Sequence, residues 1–430
     1  MSTTVLAVTG IIAMIVLLFA RIPVAFGVLA VGFFGSMIMT SPAQSVQLVS
    51  ASLFGQFSSN TMVTVPLFIL MGQVIYQSGM SGKMFDAAYK WFGFLPGGVA
   101  ATTVAASIGF STVSGSNAAT TATMGSVSLP EMRKYNYDPK LAGGSVAIGG
   151  LLGTIIPPST GLIIIAVQSE QSITKLFQAS LIPGLLTGAL LLLTVFVIAW
   201  IKPEYGPRGP AFSWKERFTS LSGVVQVLVL FVVSIGGLFA GLFTPMEAAG
   251  VGALGAIIIA MFSRNLSWNV LRMAVLESVR ISGMVIFLVA SAVVFGDFLS
   301  LTRTPFELAA WVEGLPVAPI VILAVVIIIY LLGGAFMDAL GFLVISIPLF
   351  FPLISALGYD IVWFTILITL ITTIGSVTPP VGINVFITSG VSKKWLDTIE
   401  VFRGVFPFFI PLGLVILLLV FIPGIVTGAV

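Results

Sequence analysis

The feature that most constrains this chain is a set of residues that recur 222 positions apart. The matching pairs are Pro23 and Pro245, Pro130 and Pro352, Tyr137 and Tyr359, Asp138 and Asp360, Gly153 and Gly375, Pro157 and Pro379, and Pro158 and Pro380. The constant spacing means that no net insertion separates these positions in the two halves. The sequence therefore predicts two copies of one unit. Duplicated units with matched proline and glycine breaks are typical of secondary transporters whose site lies between the repeats.

The composition places this repeated unit in a membrane. The chain is 58% hydrophobic and 8% charged, its mean hydropathy is +1.17, and long apolar runs recur along it. Runs of this length cross a bilayer as helices. The chain has no Cys and no His, which excludes thiol nucleophiles, disulfides, imidazole bases and most zinc or haem sites. No catalytic set can be assembled, so we expect a transporter and not an enzyme.

The apolar pattern predicts an all-α polytopic protein with five crossings in each half. The predicted crossings are 4–20, 22–40, 61–79, 141–168 and 180–201 in the first half, and 224–240, 246–263, 281–299, 361–388 and 405–427 in the second. The stretches 98–134 and 317–356 are interrupted at mid-length by TVSGSN (112–117) and GGAFMD (333–338). Each is predicted to form a re-entrant helical hairpin, because irregular backbone at membrane depth requires burial in protein or a cavity.

The basic residues test this topology. An odd number of crossings per half turns the second copy upside down, and sixteen of the eighteen basic residues then lie on one side. These are Arg21, Lys83, Lys90, Arg133, Lys134, Lys140, Lys202, Arg208, Lys215, Arg217, Arg264, Arg272, Arg280, Lys393, Lys394 and Arg403. Only Lys175 and Arg303 lie opposite. This bias predicts that the basic side is cytoplasmic and that both termini are outside.

The predicted domains are the first inverted repeat (1–202), a linker (203–222) and the second inverted repeat (223–430). The linker is the least apolar segment, and its Trp214, Lys215 and Arg217 are compatible with a helix along the cytoplasmic headgroups or with a plain basic loop. The Ser- and Gln-rich segment 41–60 is compatible with an exterior loop or an interfacial helix.

Two broken helices carry the strongest local signal. The chain reads LGTIIPPSTG at 152–161 and IGSVTPPVG at 374–382. Consecutive prolines remove backbone donors and push the preceding residue out of helical geometry. Unwinding frees carbonyls for a cation and exposes a helix N-terminus to an anion, whereas a simple proline kink would do neither.

Both predicted hairpin tips carry polar groups. The first is rich in hydroxyls and amides and includes Ser114, Ser116 and Asn117. It predicts a Na⁺ site facing the carbonyls of 154–157, although these residues also suit helix capping. The second tip holds Asp338, in register with Ser116. Apart from Glu247, Asp338 is the one acid that we place deep in the bilayer, where a carboxylate is costly and usually functional. Glu247 is compatible with a helix N-terminus near the interface.

At these motifs the chain resembles the large membrane subunit of tripartite ATP-independent periplasmic (TRAP) transporters, the DctM-like family. The resemblance covers essentially the whole chain. It rests on GSNAATTATMGSVSLPEM (115–132), GGLLGTIIPPS (149–159), SLIPGLL (180–186), TPMEAAGVGALGA (244–256) and TPPVGINVF (378–386).

The resemblance implies an elevator like those of the ion-transporter superfamily, in which both hairpins and both broken helices move against a scaffold. It implies Na⁺-coupled uptake of an organic acid across the bacterial inner membrane. It also implies two partners, a small four-helix membrane subunit and a periplasmic substrate-binding protein; the lipid bilayer surrounds the complex, and no nucleic acid is involved.

The resemblance also assigns ligands. The first Na⁺ site would comprise Ser114, Gly115, Ser116, Asn117, Thr154 and Pro157, and its symmetry mate Gly334, Asp338, Ser376, Thr378 and Pro379. Ser116, Ser159, Asp338 and Asn384 would face substrate. The halves differ at Val381, which has no hydroxyl where Ser159 has one. The whole chain is most similar to the sialic-acid branch, with C4-dicarboxylates open, and a stand-alone Na⁺/carboxylate transporter of similar fold is the alternative.

Overall fold

The computed structural model describes residues 3–20, 22–392 and 395–428. Arg21, Lys393 and Lys394, on which part of the charge count rests, lie outside these residues. The first half contains α1 Thr3–Phe19, α2 Val24–Met39, α3 Pro42–Phe57, α4 Thr64–Gln77, α5 Met80–Phe92, α6 Gly98–Ser114, α7 Asn117–Lys134, α8 Pro139–Gly149, α9 Leu152–Ile155, α10 Thr160–Gln168 and α11 Ile173–Ile201. Within the described part of the chain every regular element is helical.

The second half repeats this plan with small differences. It contains α12 Trp214–Phe231, α13 Gly237–Phe239, α14 Pro245–Phe262, α15 Trp268–Leu301, α16 Thr304–Glu313, α17 Pro319–Phe336, α18 Ala339–Ala356, α19 Ile361–Gly375, α20 Ile383–Val391, α21 Thr398–Val405, α22 Phe409–Phe421 and α23 Gly424–Thr427. Short 3-10 turns occur at Asn60–Val63, Pro203–Tyr205 and Phe406–Phe408, and a π-helical turn at Val232–Gly236 joins α12 to α13.

The predicted fold class is confirmed. Eight helical stretches among the described residues are long and apolar enough to cross a membrane, and the exposed faces of the helices are apolar. The eight include Pro319–Phe336 and Ala339–Ala356, the two arms of the second predicted hairpin. Ile12, Phe34, Leu193, Leu254 and Ile328, for example, are each more than half exposed, as lipid-facing side chains are. How each hairpin enters the membrane and which way each half faces stay predictions.

The two predicted hairpins are helical hairpins with nearly the predicted bounds. We call α6, residues 115–116 and α7 hairpin 1, and α17, residues 337–338 and α18 hairpin 2. The register of 222 is kept, because α7 begins at Asn117 and α18 at Ala339, a difference of 222. The following helices α8 and α19 begin at Pro139 and Ile361, again 222 apart.

The helices before the hairpins differ between the halves. In the second half, α15 is one continuous helix that begins at Trp268, well before the predicted crossing 281–299. Its counterpart in the first half is divided into α3 and α4, with a bend of 50° between Pro42–Phe57 and Asn60–Gln77. The segment 41–60 is therefore a helix that Ser41 caps by accepting a hydrogen bond from the backbone N–H of Gln44.

The linker contains one turn and the start of a long helix. Ser213 and Glu216 form a capping box that begins α12 at Trp214. This helix continues into the predicted crossing 224–240, and Trp214–Phe239 qualifies as a single candidate span. Trp214, Lys215 and Arg217 therefore belong to the first turn of this long helix, and the linker is not a plain basic loop. The position of this turn along the headgroups stays a prediction.

Residues 205–209 of the linker bind across the base of hairpin 1, and we call this segment the strap. The carbonyl oxygens of Tyr205 and Gly206 accept from the backbone N–H groups of Asp138 (3.0 Å) and Gly97 (2.8 Å). The Tyr137 hydroxyl donates to the carbonyl of Pro207 (2.8 Å). Burial raises the pKa of Tyr137 to about 12, so its phenol keeps the proton that it donates. The strap thus joins both ends of hairpin 1.

Candidate functional site

The first hairpin tip is closed by a glycine and capped by a serine. Gly115 ends α6 with a φ of +61°, a conformation that glycine adopts without steric cost. Ser116 follows, and its Oγ accepts a hydrogen bond from the backbone N–H of Ala119 at 3.4 Å. The capping role that the sequence allowed for Ser116 is therefore present, and its hydroxyl proton remains available to a ligand.

The tip of hairpin 1 contacts the first break, residues 156–159, directly. Thr160 donates to the Gly115 carbonyl from both its hydroxyl (2.8 Å) and its backbone N–H (3.2 Å). On the other side of the break, a Cβ on Gly153 would overlap the Ser116 carbonyl. Glycine is therefore required at 153 for the hairpin and the broken helix to approach this closely.

The second half repeats this contact in register. Gly382, which matches Thr160 at an offset of 222, donates its backbone N–H to the Ala335 carbonyl of hairpin 2 at 3.4 Å. Gly375, the counterpart of Gly153, lies against the backbone of Gly334 and Ala335, where an added Cβ would come within 2.7 Å. Each hairpin tip is thus bound to the broken helix of its own half.

The breaks, and not the tips, supply the free carbonyl groups. The prolines meet at cis peptide bonds, Pro157–Pro158 and Pro379–Pro380. No donor among the described residues bonds to the carbonyl oxygens of 154–158 or 377–381. In contrast, the tip carbonyl of Gly115 already accepts both Thr160 bonds, and that of Ser116 accepts from Ser114 and Thr120. Uncommitted carbonyl oxygens are ligands that suit a hard cation.

A cavity of about 320 Å³ joins the two tips. Four of the predicted site residues line it: Ser114, Ser116, Asn117 and Asp338. Hairpin 1, Thr160 of the first broken helix, α4 and α15 form the remaining walls. The structure therefore brings both predicted polar tips to one cavity, although they are more than 200 residues apart in the chain.

Asp338 caps α18 and is open to the cavity. One carboxylate oxygen accepts from the backbone N–H of Gly341 at 3.3 Å, and the side chain is exposed. Asp338 is the sole charged residue among the described residues that line the cavity. An acid anion in this cavity would therefore meet neutral donors and one carboxylate, and no Lys or Arg.

Two predicted substrate residues lie outside this cavity. Ser159 is completely buried, and its Oγ accepts from the backbone N–H of Leu162 at 3.2 Å as the cap of α10. Asn384 is also completely buried, and its Nδ2 donates to the Ala147 carbonyl at 3.4 Å. The adjacent Thr160 reaches the cavity in place of Ser159.

The second predicted ion site has a different environment. Ser376 donates its hydroxyl to the Thr373 carbonyl, and its own carbonyl accepts from the backbone N–H of Asn384 at 3.0 Å. Thr378 donates to the Ile374 carbonyl at 2.9 Å. Pro379 and Pro380 are exposed, whereas Pro157 and Pro158 are buried. In addition, the described residues hold no cluster of three or more acidic side chains that would bind a metal.

The interpretation of the intramembrane acids requires two corrections. Asp297 lies within the predicted crossing 281–299 and was missed; its Oδ2 accepts from the Ser52 hydroxyl at 2.7 Å, which joins α15 to α3. The second concerns Glu247, which is not buried, and its interpretation as part of a helix N-terminus is confirmed. It is exposed in the first turn of α14, where it forms a capping box with Thr244.

Two further residues of the cavity were missed in the sequence. Gln73 and Tyr76 line it from α4. They were detectable in principle, because a polar side chain inside the apolar run 61–79 requires a partner or a function.

Comparison with known proteins places this architecture in a family. A sequence model described as "Tripartite ATP-independent periplasmic transporter, DctM component" matches residues 11–425. The chain belongs to this family. The large permease of this family works with a small membrane subunit and a periplasmic binding protein, and membership implies a multi-pass inner-membrane transport protein and not an enzyme.

Individual relatives of this DctM component differ in substrate. The chain is 32% identical to the C4-dicarboxylate TRAP transporter large permease protein DctM of Pseudomonas aeruginosa, over 91% of this chain and 90% of that protein. It is 31% identical to the sialic acid TRAP transporter large permease protein SiaM of Vibrio cholerae, over 95% and 94% respectively. The solved YdaH transporter of Alcanivorax borkumensis shares the fold, with a TM-score of 0.59, 14% identity and coverage of 88% and 89%.

Proposed function

We propose that this DctM component carries an organic acid inward, driven by Na⁺, after a periplasmic binding protein delivers the acid. The observation that supports this most directly is the cavity shared by Asp338 and the polar tip of hairpin 1. Free carbonyl oxygens of the breaks stand beside both tips. Substrate and ion sites would thus be neighbours, as coupled transport requires.

The charge of the cavity supports coupling to a cation. An acid anion and the Asp338 carboxylate would repel each other in a partly desolvated site. A bound Na⁺ would offset this repulsion, so the acid would bind well only after the ion. The first Na⁺ site would use the carbonyls of Thr154 and Pro157 with side-chain oxygens of the Ser114, Ser116 and Asn117 tip. The second would use Pro379, Thr378 and Ser376 with the Gly334 and Asp338 region.

The contacts between hairpins and broken helices favour movement of these elements as one body. Each tip is hydrogen-bonded to its own broken helix, and paired glycines allow close packing. The neighbouring helix α4 presents Gly72 to hairpin 1, where a Cβ would overlap the Val113 carbonyl. A smooth contact of this kind suits sliding of a transport body against α4, as in an elevator. The periplasmic location of both termini belongs to the same proposal.

We propose that the substrate is one of the organic acids named for the relatives of this chain. Identities of 32% and 31% to a C4-dicarboxylate and a sialic acid permease do not separate these two acids. Neutral donors, and no Arg or Lys, would bind the acid group. We therefore propose sialic acid or a C4-dicarboxylate, and the preference for sialic acid rests on the sequence resemblance alone.

Uptake into proteoliposomes tests the proposal. The vesicles would hold this chain with its small membrane subunit, under an imposed Na⁺ gradient, with the binding protein added or omitted. We expect radiolabelled acid to accumulate only when both the gradient and the binding protein are present. Robust uptake by this chain alone would instead favour a stand-alone Na⁺/carboxylate transporter.

Single substitutions locate the site in the same assay. Asp338→Ala and Ser116→Ala should abolish Na⁺-driven uptake, because each removes an oxygen ligand from the cavity. Asp86→Ala is the control, because Asp86 is exposed and its one ion pair within the described part of the chain is with Lys90 at 2.8 Å. Wild-type uptake by either cavity variant, in protein that elutes as a single species in detergent, would remove that residue from the proposed site.

A further inference from the structure

Some of the polar groups that line the cavity already form hydrogen bonds within the protein and are not free to bind a ligand. The Ser114 hydroxyl is shared with the Ser116 carbonyl (3.1 Å) and the Thr120 hydroxyl (2.7 Å). The Thr160 hydroxyl donates to the Gly115 carbonyl. These two groups hold the tip in place, and a donor that is already committed gains little by turning to a ligand.

The hydrogen-bond donors that remain free in the cavity come from two elements, hairpin 1 and α4. Hairpin 1 contributes the hydroxyl proton of Ser116, the Thr123 hydroxyl and the Nδ2 of Asn117, whose Oδ1 accepts from the Ala118 N–H at 2.7 Å. The other two are Gln73 and Tyr76 of α4. Among the described residues, no group hydrogen-bonds to the side chains of Gln73 and Tyr76.

The position of Gln73 is fixed by its neighbour in the chain. Gly72 packs on hairpin 1 so closely that a Cβ there would overlap the Val113 carbonyl and lie 3.4 Å from the Cα of Ser114. The half-buried Gln73 is therefore held beside the tip. An amide without a partner at such a site is costly unless a ligand or water satisfies it.

We infer that Gln73, supported by Tyr76, is a specificity-determining residue that contacts the acid from α4, outside the hairpins. The inference rests on the proposed function, because it assumes an acid in this cavity. The Gln73 amide offers two N–H donors to a carboxylate and one acceptor to a hydroxyl of the same acid. In the proposed elevator movement α4 stays in place while the hairpins move, so this contact would exist only in the conformation described here.

Binding to the purified complex of both membrane subunits tests this inference. The probes are succinate and sialic acid, each titrated in detergent with excess Na⁺. Gln73→Leu removes both donors and should weaken binding of the accepted acid at least about tenfold, the usual effect of losing a hydrogen bond to a charged group. Gln73→Glu keeps the shape of the side chain and should weaken binding more, because it adds a second carboxylate.

The matched control lies one turn away on the same helix. Gln77 ends α4 and is not among the residues that line the cavity. Gln77→Leu should therefore bind both acids as the wild type does. The ratio of the affinities for the two acids should also change in Gln73→Leu but not in Gln77→Leu, an effect that a purely structural role would not produce.

The outcomes separate this inference from the proposed function. If the wild type carries an acid, and Gln73→Leu and Gln73→Glu bind that acid with wild-type affinity, the role of Gln73 is refuted and the proposed function stands. If Gln73→Leu does not fold, Gln73→Glu alone decides. If the wild type neither binds nor carries either acid, the proposed function itself fails.

Discussion

The two breaks share one backbone plan but have opposite environments. Every residue from 151 to 160 is buried, whereas Pro379 and Pro380 are exposed and Thr378 is half-buried. The first break is bound to its hairpin through a side chain and a backbone N–H of Thr160, and the second through the backbone N–H of Gly382 alone. The strap closes hairpin 1 further.

This difference shows how a symmetric plan gives an asymmetric protein. Matched glycines and prolines set the shape of both breaks, because these residues act through the backbone. Exposure depends instead on the side chains and segments that surround each break, and these are not duplicated. The two breaks therefore differ in accessibility although their backbone plan is the same.

Substitution of the matched glycines should give the largest effect. Gly153→Ala and Gly375→Ala each place a methyl group against hairpin backbone that cannot move aside. Overpacking of this kind costs about 1–3 kcal/mol, and we expect both variants to lose nearly all proteoliposome uptake. Gly390→Ala on α20 is the control, because no atom of the residues that the structure describes lies within 4 Å of its added methyl group. Full activity of one variant would mean that the tip contact matters in one half only.

Thiol labelling tests the difference in exposure. The natural chain has no cysteine, so Ser159→Cys and Val381→Cys can be compared at positions 222 apart. Ser159 is completely buried and Val381 is partly exposed, so Val381→Cys should react with a hydrophilic maleimide at least about tenfold faster. Equal rates would abolish the distinction between the breaks. The side of the membrane from which Val381→Cys reacts would also test the predicted orientation.

Removal of the Thr160 hydroxyl, which binds only the first break to its hairpin, should have the smallest effect. Thr160→Val removes the hydroxyl bond to Gly115 but keeps the shape and the backbone N–H bond. We expect a loss of about 1 kcal/mol in stability, measured as a lower unfolding temperature in detergent. Thr388→Val is the matched control, because this buried hydroxyl bonds within its own helix to the Asn384 carbonyl. An equal loss in both variants would show that the Thr160 bond has no special role.

Much of the fold was predictable because glycine and proline residues mark where its helices begin and end. Gly98 and Pro319 begin the hairpins close to the predicted positions, and the double prolines lie within both breaks. The division between 41–60 and 61–79 was predicted, but the choice between a loop and a helix for 41–60, and the bend of 50° between α3 and α4, were not, because no proline or glycine separates Phe57 from Asn60. Tertiary packing decides such a bend.

The site was predictable in part for the same reason. Ser116 and Asp338 were found because they lie in the polar interruptions, 112–117 and 333–338, of two apolar stretches. Gln73, Tyr76 and Asp297 were missed because no local break or motif marks them, and the groups that face them come from distant segments. The hydrogen bond from Thr160 to the Gly115 carbonyl could not be predicted either, because the two residues are distant in the sequence.

The strap has a consequence for the order in which the protein assembles. Its residues Tyr205, Gly206 and Pro207 follow the predicted end of the first repeat at 202, yet they bond to Gly97, Tyr137 and Asp138. During synthesis the first repeat would leave the ribosome with the base of hairpin 1 unfastened. The base of hairpin 1 can be fully fastened only when the chain has been translated past Gly209, whose N–H donates to the Gly93 carbonyl at 2.8 Å.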